Sequence, residues 1–242
     1  MTKEPALNPI DLAERGRTPE GSPASLNRRL FMQLLAFGNC SDVRPLVDAL
    51  TEAGIQGVLY NDVNDPSGVG LLTFSETPAY FPESVHPLIR HSHFNVLSSK
   101  PEYTMLGRTY AIGYERNLED VLIHRPHRRV CDAGRPWAIW YPLRRSGAFE
   151  QIPADKQKSI LMQHGGVGRA FSEAGYVRDI RLACHGLDKN DNDFITALIG
   201  EELFPLSATV QRMRKTIQTA QYLVHLGPFF VGKVVWQSDP TV

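Results

Sequence analysis

The sequence has no surplus of charge: 26 Lys and Arg stand against 26 Asp and Glu over 242 residues. A neutral chain lacks the basic excess that holds a phosphate backbone, which argues against nucleic acid as a main partner. Cysteine is scarce. Cys40, Cys131 and Cys184 are scattered, with no CxxC, CxxCH or Cys/His zinc spacing, so neither a disulfide framework nor a zinc site is expected. Reduced thiols in a cytoplasm are the expected state. No apolar run approaches the roughly 18–20 residues that span a bilayer, and the start MTKEPALNPIDLAERGRTPEG has no apolar stretch of the kind a secretory signal needs. What is present suits a chain with a sizeable core: 42% hydrophobic and 21% charged residues, in a length that fits one large domain or two small ones.

Residues 1–27 hold Pro5, Pro9, Pro19 and Pro23 among polar residues and few large hydrophobes. Such a segment cannot bury enough apolar surface to offset its ordering entropy, so a flexible tail, or an arm that orders only against a neighbour, is expected. Two stretches then repeat one order of elements. In residues 28–114, Leu30–Phe37 reads as a buried strand, and Ser41-Asp42 can cap a helix from Val43 to about Ala53 that Gly54 stops. Val58–Asn61 and Val69–Phe74 flank the turn signal Asp65-Pro66-Ser67-Gly68 as a hairpin; Thr77-Pro78 opens a second helix, and Leu106–Tyr114 is a further strand.

In residues 137–242, Trp137–Arg144 is a strand, and a helix starts at Pro153-Ala154-Asp155 and ends near Gly165-Gly166. Val177–Cys184 and Phe194–Ile199 are strands. Leu206–Tyr222 is an amphipathic helix with Val210, Met213 and Ile217 on one face, and Phe229–Val235 is the last strand. The pattern β-α-β-β-α-β, given twice, predicts an α+β protein of two tandem ferredoxin-like units whose sheets pack together. Residues 115–136 link them, with a short helix followed by the basic run His124–Arg129.

No Walker loop, Rossmann glycine fingerprint, HExxH, GxSxG or EF-hand loop is found, and the glycines of GVG (Gly68, Gly70) read as structural. MQHGGVGR, Met162–Arg169, is the most informative stretch. On a helix His164 shares the buried face of Ile160 and Leu161 and sits at the helix end. It can donate to the last helical carbonyls, which physics alone favours; alternatively it is a neutral imidazole aimed inward as a metal or haem-iron ligand, with glycines that let a planar cofactor approach. In AIWYPLRR, Ala138–Arg145, strand alternation puts Ile139, Tyr141, Leu143 and Arg145 on one face. Tyr141 and Arg145 are there either a cross-sheet hydrogen bond and a solvated end, or a redox-capable phenol beside a cation that pairs a carboxylate. Arg125, Arg128 and Arg129 are further cations that can serve an anion.

These residues resemble the chlorite dismutase-like haem proteins, and within them the coproheme decarboxylase branch. The resemblance is carried by YPL (Tyr141–Leu143), Ile152-Pro153, LMQHGGVGR (Leu161–Arg169), VRDIRLACHGLD (Val177–Asp188), DFITAL (Asp193–Leu198) and MRKTIQTAQYLVHLGPFFVG (Met213–Gly232). Residues 29–114 resemble the family's cofactor-free unit. The resemblance implies a dimeric α+β barrel that holds iron coproporphyrin III, substrate and redox centre at once, in its second unit only. It implies His164 as the iron ligand, Tyr141 as a radical relay, Arg145 and Arg125 beside propionates, and Thr219, in TAQY, in place of a propionate-contacting Ser.

The implied reaction is hydrogen-peroxide-dependent decarboxylation of two propionates to give haem b. A homo-oligomer, pentameric in the family, and a transient contact with a ferrochelatase are implied as well. Three departures from the family stand out: a short Ser146–Gln151 loop, an insertion near Ser172–Tyr176, and Asp179 at a distal position held by Arg in chlorite dismutases and Gln in many decarboxylases. An Asp there would repel chlorite and can accept protons from peroxide, whereas Arg181, on the same strand face, can restore the positive charge. Chlorite dismutation is therefore the second reading, and a haem carrier or sensor the third.

Overall fold

A computed structural model describes residues 10–239. Strands β1 (Glu14–Arg17) and β2 (Pro23–Leu26) come first; β3 (Phe31–Gly38), α1 (Arg44–Glu52), β4 (Gly57–Asp62), β5 (Val69–Ser75), α2 (His86–His91), β6 (Ser98–Ser99) and β7 (Met105–Thr109) follow. After α3 (Arg125–Val130) come β8 (Trp137–Arg145), α4 (Gly147–Glu150), α5 (Ala154–Glu173), β9 (Arg178–Ala183), β10 (Phe194–Gly200), α6 (Leu203–Met213), α7 (Ile217–Tyr222), β11 (Leu223–Leu226) and β12 (Phe230–Gln237).

The strands of the first half lie in the order β7-β3-β5-β4 and those of the second in the order β12-β8-β10-β9. Each is a fourth-first-third-second arrangement, the ferredoxin-like one, so the expected α+β architecture holds. β4 pairs with β12 and β7 with β9, and the path returns on itself through β8 and β10. A sheet closed in this way has no long free edge. β11 continues along β8 beyond β12.

Alternation along each strand then sends residues inward and outward by turns. Inward go Met32, Leu34, Tyr60, Leu72, Trp140 and Phe230, which fill the barrel. Outward on the first half, Leu59 and Leu71 are covered by Leu46 and Leu50 of α1 and by Phe81, Val85 and Phe94. Outward on the second half, Ile139, Tyr141, Leu143 and Leu198 face α5 and α6. Gly70 shows how tight the interior is: a Cβ there would run into the Phe230 ring. The structural reading of this glycine therefore stands on packing.

Several local expectations need correction, among them the strand expected over Leu106–Tyr114, which ends at Thr109. The tail expectation fails for residues 14–26, which form an antiparallel hairpin; residues 1–9 lie outside the described residues. Ala24 and Leu26 pack on Leu118, Leu122 and Ile123, and Glu14 holds Arg108 at 3.2 Å. The apolar surface that the segment lacks is thus supplied from far along the chain. Helix α5 runs through Gly165 and Gly166 to Glu173 and ends before Gly175, whose φ of 83° is the left-handed conformation that stops helices. The basic run forms α3 itself, directly after a π-helical turn at Asp120–His124. The helix expected over Leu206–Tyr222 is broken between Met213 and Ile217. Among the described residues no helix is long and apolar enough to cross a membrane.

Gly70→Ala should destabilise the fold by about 1–3 kcal/mol, the usual cost of overpacking. Phe230→Leu added to it should recover part of that loss, as read from denaturant midpoints at constant m-value. Simple additivity of the two changes would show that the ring and the glycine do not share this space.

Candidate functional site

The outer layer of the second half does not close. Between its sheet and the helices α5, α6 and α7 lies a cavity of about 350 Å³, within the size range of small-molecule sites. Tyr141, Asp179, Arg181 and Thr196 line it from the sheet, and His164, Gly165, Gly168, Arg214, Gln218 and Thr219 from the helices. The sheet residues stand there because β8, β9 and β10 turn alternate positions outward; Ile180 and Ala197, between them in sequence, belong to the barrel interior.

His164 is a mid-helix residue, so it cannot donate to the last carbonyls of α5. Its neighbour Ile160 is buried while Leu161 is 39% exposed, so only the first shares its face. His164 Nδ1 lies 3.0 Å from Thr216 Oγ1. The Thr216 hydroxyl donates its proton to the Met213 carbonyl at 2.7 Å, which leaves its oxygen to accept from Nδ1–H. That bond, the shorter of the two hydroxyl contacts of Nδ1, favours the tautomer with the lone pair on Nε2. Nε2 makes no hydrogen bond among the described residues, and the ring belongs to the cavity wall. Burial, followed by the charges of Arg145 and Arg181, lowers the His164 pKa, which keeps the imidazole neutral.

The donor set fits a haem iron better than a bare ion. No group of three or more His, Cys, Asp or Glu is arranged to hold a metal among the described residues, whereas a macrocycle brings its own equatorial ligands and needs one imidazole. The helix wall also suits a flat ligand, since a Cβ on Gly165 would meet nothing within 4 Å.

Across the cavity, Tyr141 is 5% exposed and stacks on Phe229 with ring centroids 4.7 Å apart. Burial raises its pKa, against a hydrogen bond with Thr196, so the phenol keeps its proton. Asp179 and Arg181 both face the cavity. The negative charge of Asp179 is met by two cations, one of them Arg181. Arg181 Nε is 3.3 Å from one carboxylate oxygen and Arg129 Nη1 3.2 Å from the other, with a further hydrogen bond from Arg129 to the Asp179 carbonyl.

The expected arginines lie elsewhere. Arg125 is bonded to Asp120 at 2.9 Å, in the same stretch of helix, and is not on the cavity wall. Arg145 also stands back from the wall, its guanidinium held between the Phe149 and Phe194 rings at 4.6 and 5.0 Å. Thr219 lines the cavity, with its Oγ1 3.4 Å from His164 Nδ1.

Three participants were not among the expected site residues: Thr216, Arg214 and Gln218; Arg129, expected as a cation for an anionic ligand, is instead paired with Asp179. Arg214 lies over Phe229 at 5.9 Å and has no ion pair among the described residues. Both Arg214 and Thr216 fall inside the stretch expected as one continuous helix, so no sequence signal marked them; the break between Met213 and Ile217 is what turns them to the site.

The chlorite dismutase family model matches residues 72–235 of the chain. No curated protein sequence matches it. Among solved structures, a haem-binding protein from Thermus thermophilus is similar at 19% identity and a TM-score of 0.68, over 88% of this chain and 93% of that one. A chlorite dismutase from Candidatus Nitrospira defluvii, in complex with imidazole, is similar at 14% identity and a TM-score of 0.66, over 87% of this chain and 92% of that one. At these identities the likeness is one of fold.

Thr216→Val should remove the acceptor that sets the imidazole tautomer. In the porphyrin-free protein at neutral pH, ¹⁵N NMR of His164 should show Nδ1–H in wild type and a mixture in the variant. Leaving Nδ1–H unpaired should cost about 1–3 kcal/mol of stability. Unchanged tautomer populations would mean that another group directs the ring.

Proposed function

Because this chain belongs to the chlorite dismutase family, we propose that it binds an iron porphyrin in the second-half cavity. We propose further that it catalyses the peroxide-dependent oxidative decarboxylation of two propionates of iron coproporphyrin III to give haem b. The observation that carries this reading is the buried Tyr141 phenol on the sheet wall of the cavity that His164 lines from the helix side. When bound, the iron macrocycle together with peroxide supplies the oxidising power.

The rest is done by the chain. His164 would hold the iron through Nε2, its ring oriented by Thr216. Tyr141 keeps its proton on Oη at neutral pH, so it gives up an electron only together with that proton, and the Thr196 hydroxyl is its hydrogen-bond partner. Phe229, stacked on Tyr141, holds the phenol in one orientation. Arg214 and Thr219 supply a cation and a hydroxyl donor to carboxylates at the helix side. Arg145 lies behind the wall with its Nε buried and unbonded. It contributes positive charge that the His164 ring feels.

One observation favours the second reading, chlorite dismutation. Arg181 faces the cavity, and Asp179 divides its charge between Arg181 and Arg129, so two guanidiniums share one carboxylate. An anion such as chlorite would meet net positive charge there. Against it, Arg181 is already engaged by Asp179 and is not free to turn wholly to a ligand.

His164→Ala should take up iron coproporphyrin III poorly and lose the iron–histidine stretch in resonance Raman spectra. A variant with the wild-type stretch would place the ligand elsewhere. Tyr141→Phe should bind iron coproporphyrin III nearly as wild type does, because Phe keeps the packing on Phe229, yet release little CO2 when peroxide is added. Decarboxylation by the Phe variant at the wild-type rate would remove Tyr141 from the relay. Brisk oxygen evolution from chlorite by wild type, abolished in Arg181→Ala, would give the second reading precedence.

A further inference from the structure

We infer that Gln218 reads a carboxylate of the bound ligand, donating its side-chain amide N–H to an ionised carboxylate substituent of a planar tetrapyrrole. This rests on the iron-porphyrin reading above and names a specificity-determining contact within it.

Gln218 is 5% exposed and lines the cavity. Its Oε1 has no hydrogen-bond partner, and its amide nitrogen makes no hydrogen bond among the described residues either. The amide's O and N are interchangeable by a half-turn of the side chain, which would set the NH2 group at the buried unpaired position, where a ligand acceptor can take its proton. Buried amides are ordinarily paired, and an unpaired one marks a place where something else supplies the partner.

The neighbouring polar groups do not share this condition. Thr209 Oγ1 donates to the Pro205 carbonyl at 2.8 Å, Thr216 is engaged by Met213 and His164, and Gln163 Oε1 accepts from the Ile217 backbone N–H at 3.0 Å. Among the described residues, Gln218 thus carries the one fully buried side-chain polar atom on the helical wall that lacks a partner.

An amide both donates and accepts, so the charge around it decides which end meets a ligand. Arg169 and Arg214 line the same cavity, neither guanidinium has an ion pair or a side-chain hydrogen bond among the described residues, and the two outnumber the one carboxylate that these helices bring to the cavity wall, Glu173. A ligand group that satisfies two free cations is an anion, and an anion takes the N–H end of the amide. A carboxylate fits: it accepts several hydrogen bonds at once and suits a fork of guanidinium and amide donors. Gln also adds no charge, so it separates carboxylates from uncharged substituents without drawing in small anions as a further Arg would.

A structural amide and a ligand-reading amide predict opposite signs in the empty protein. Gln218→Met keeps the volume and removes the unsatisfied groups. It should raise the Tm of the porphyrin-free protein while weakening iron coproporphyrin III by about tenfold to a hundredfold in Soret titrations. Binding of the tetramethyl ester of the same iron porphyrin, which offers no ionised carboxylate, should change by no more than about twofold. Gln218→Glu, which sets one carboxylate against another, should weaken the free acid more than Gln218→Met does.

A lower Tm for ligand-free Gln218→Met, or equal losses for acid and ester, would overturn the inference. Should the Met variant fail to fold, that too counts as a structural role. If wild type takes up neither porphyrin, the iron-porphyrin reading itself falls.

Discussion

The closed antiparallel sheet imposes the constraint from which the site follows. In such a sheet every strand residue faces either the barrel interior or the helices outside, with no third choice. Both halves fill the interior with large apolar side chains. They differ outside. The first half carries Leu59 and Leu71 under well-packed Leu, Phe and Val from its helices. The second half places Tyr141, Thr196, Asp179 and Arg181 at its outward positions. Polar groups of that kind cannot be sealed under an apolar helix without large desolvation costs. On the opposing face of α5, Gly165 brings no side chain to fill the gap. The cavity is therefore a property of which residues occupy the outward register of three strands.

Charge is arranged around that cavity in layers. On its walls are two groups kept uncharged by burial, the His164 imidazole and the Tyr141 phenol. Around them are cations. One of them, Arg129, comes from α3, between the two halves, and reaches both the carboxylate and the carbonyl of Asp179 on β9. Burial lowers the Arg129 pKa and Asp179 opposes that shift, so the pair also ties the connecting helix to the wall of the site. Glu115 plays a related part nearby: its carboxylate accepts backbone N–H groups of Ile112, Gly113 and Tyr114 and shapes the loop at the cavity edge.

Much of the fold could be read in the sequence because strand alternation and helix periodicity are local. Leu30–Phe37, Val69–Phe74, Trp137–Arg144 and Phe194–Ile199 each fall within a residue or two of the observed strands. What escaped depended on distant partners. The 14–26 hairpin is polar in itself and is ordered by Leu118 and Leu122. Gly165-Gly166 looked like a stop, but the left-handed turn that ends α5 falls at Gly175. In the site, the residues on strand faces, Tyr141 and Asp179, could be located by counting alternate positions. The arginines could not, because their long side chains go where a carboxylate or an aromatic ring holds them: Arg125 to Asp120, Arg145 between Phe149 and Phe194.

The last strand is shared by both halves. β12 lies between β8 and β4, and near its end the Gly57 N–H donates to Ser238 Oγ across 181 residues of sequence. During synthesis, then, the barrel stays an open sheet with exposed β4 and β8 edges until this strand has left the ribosome. Contacts of such long separation are the slow ones in folding, and unpaired edges are where nascent chains go astray. The cavity wall shares this late assembly, since Phe229, which packs on Tyr141, immediately precedes β12. A chain cut short before Phe229 would lose closure and site together, which couples the completeness of the barrel to its competence to hold a ligand.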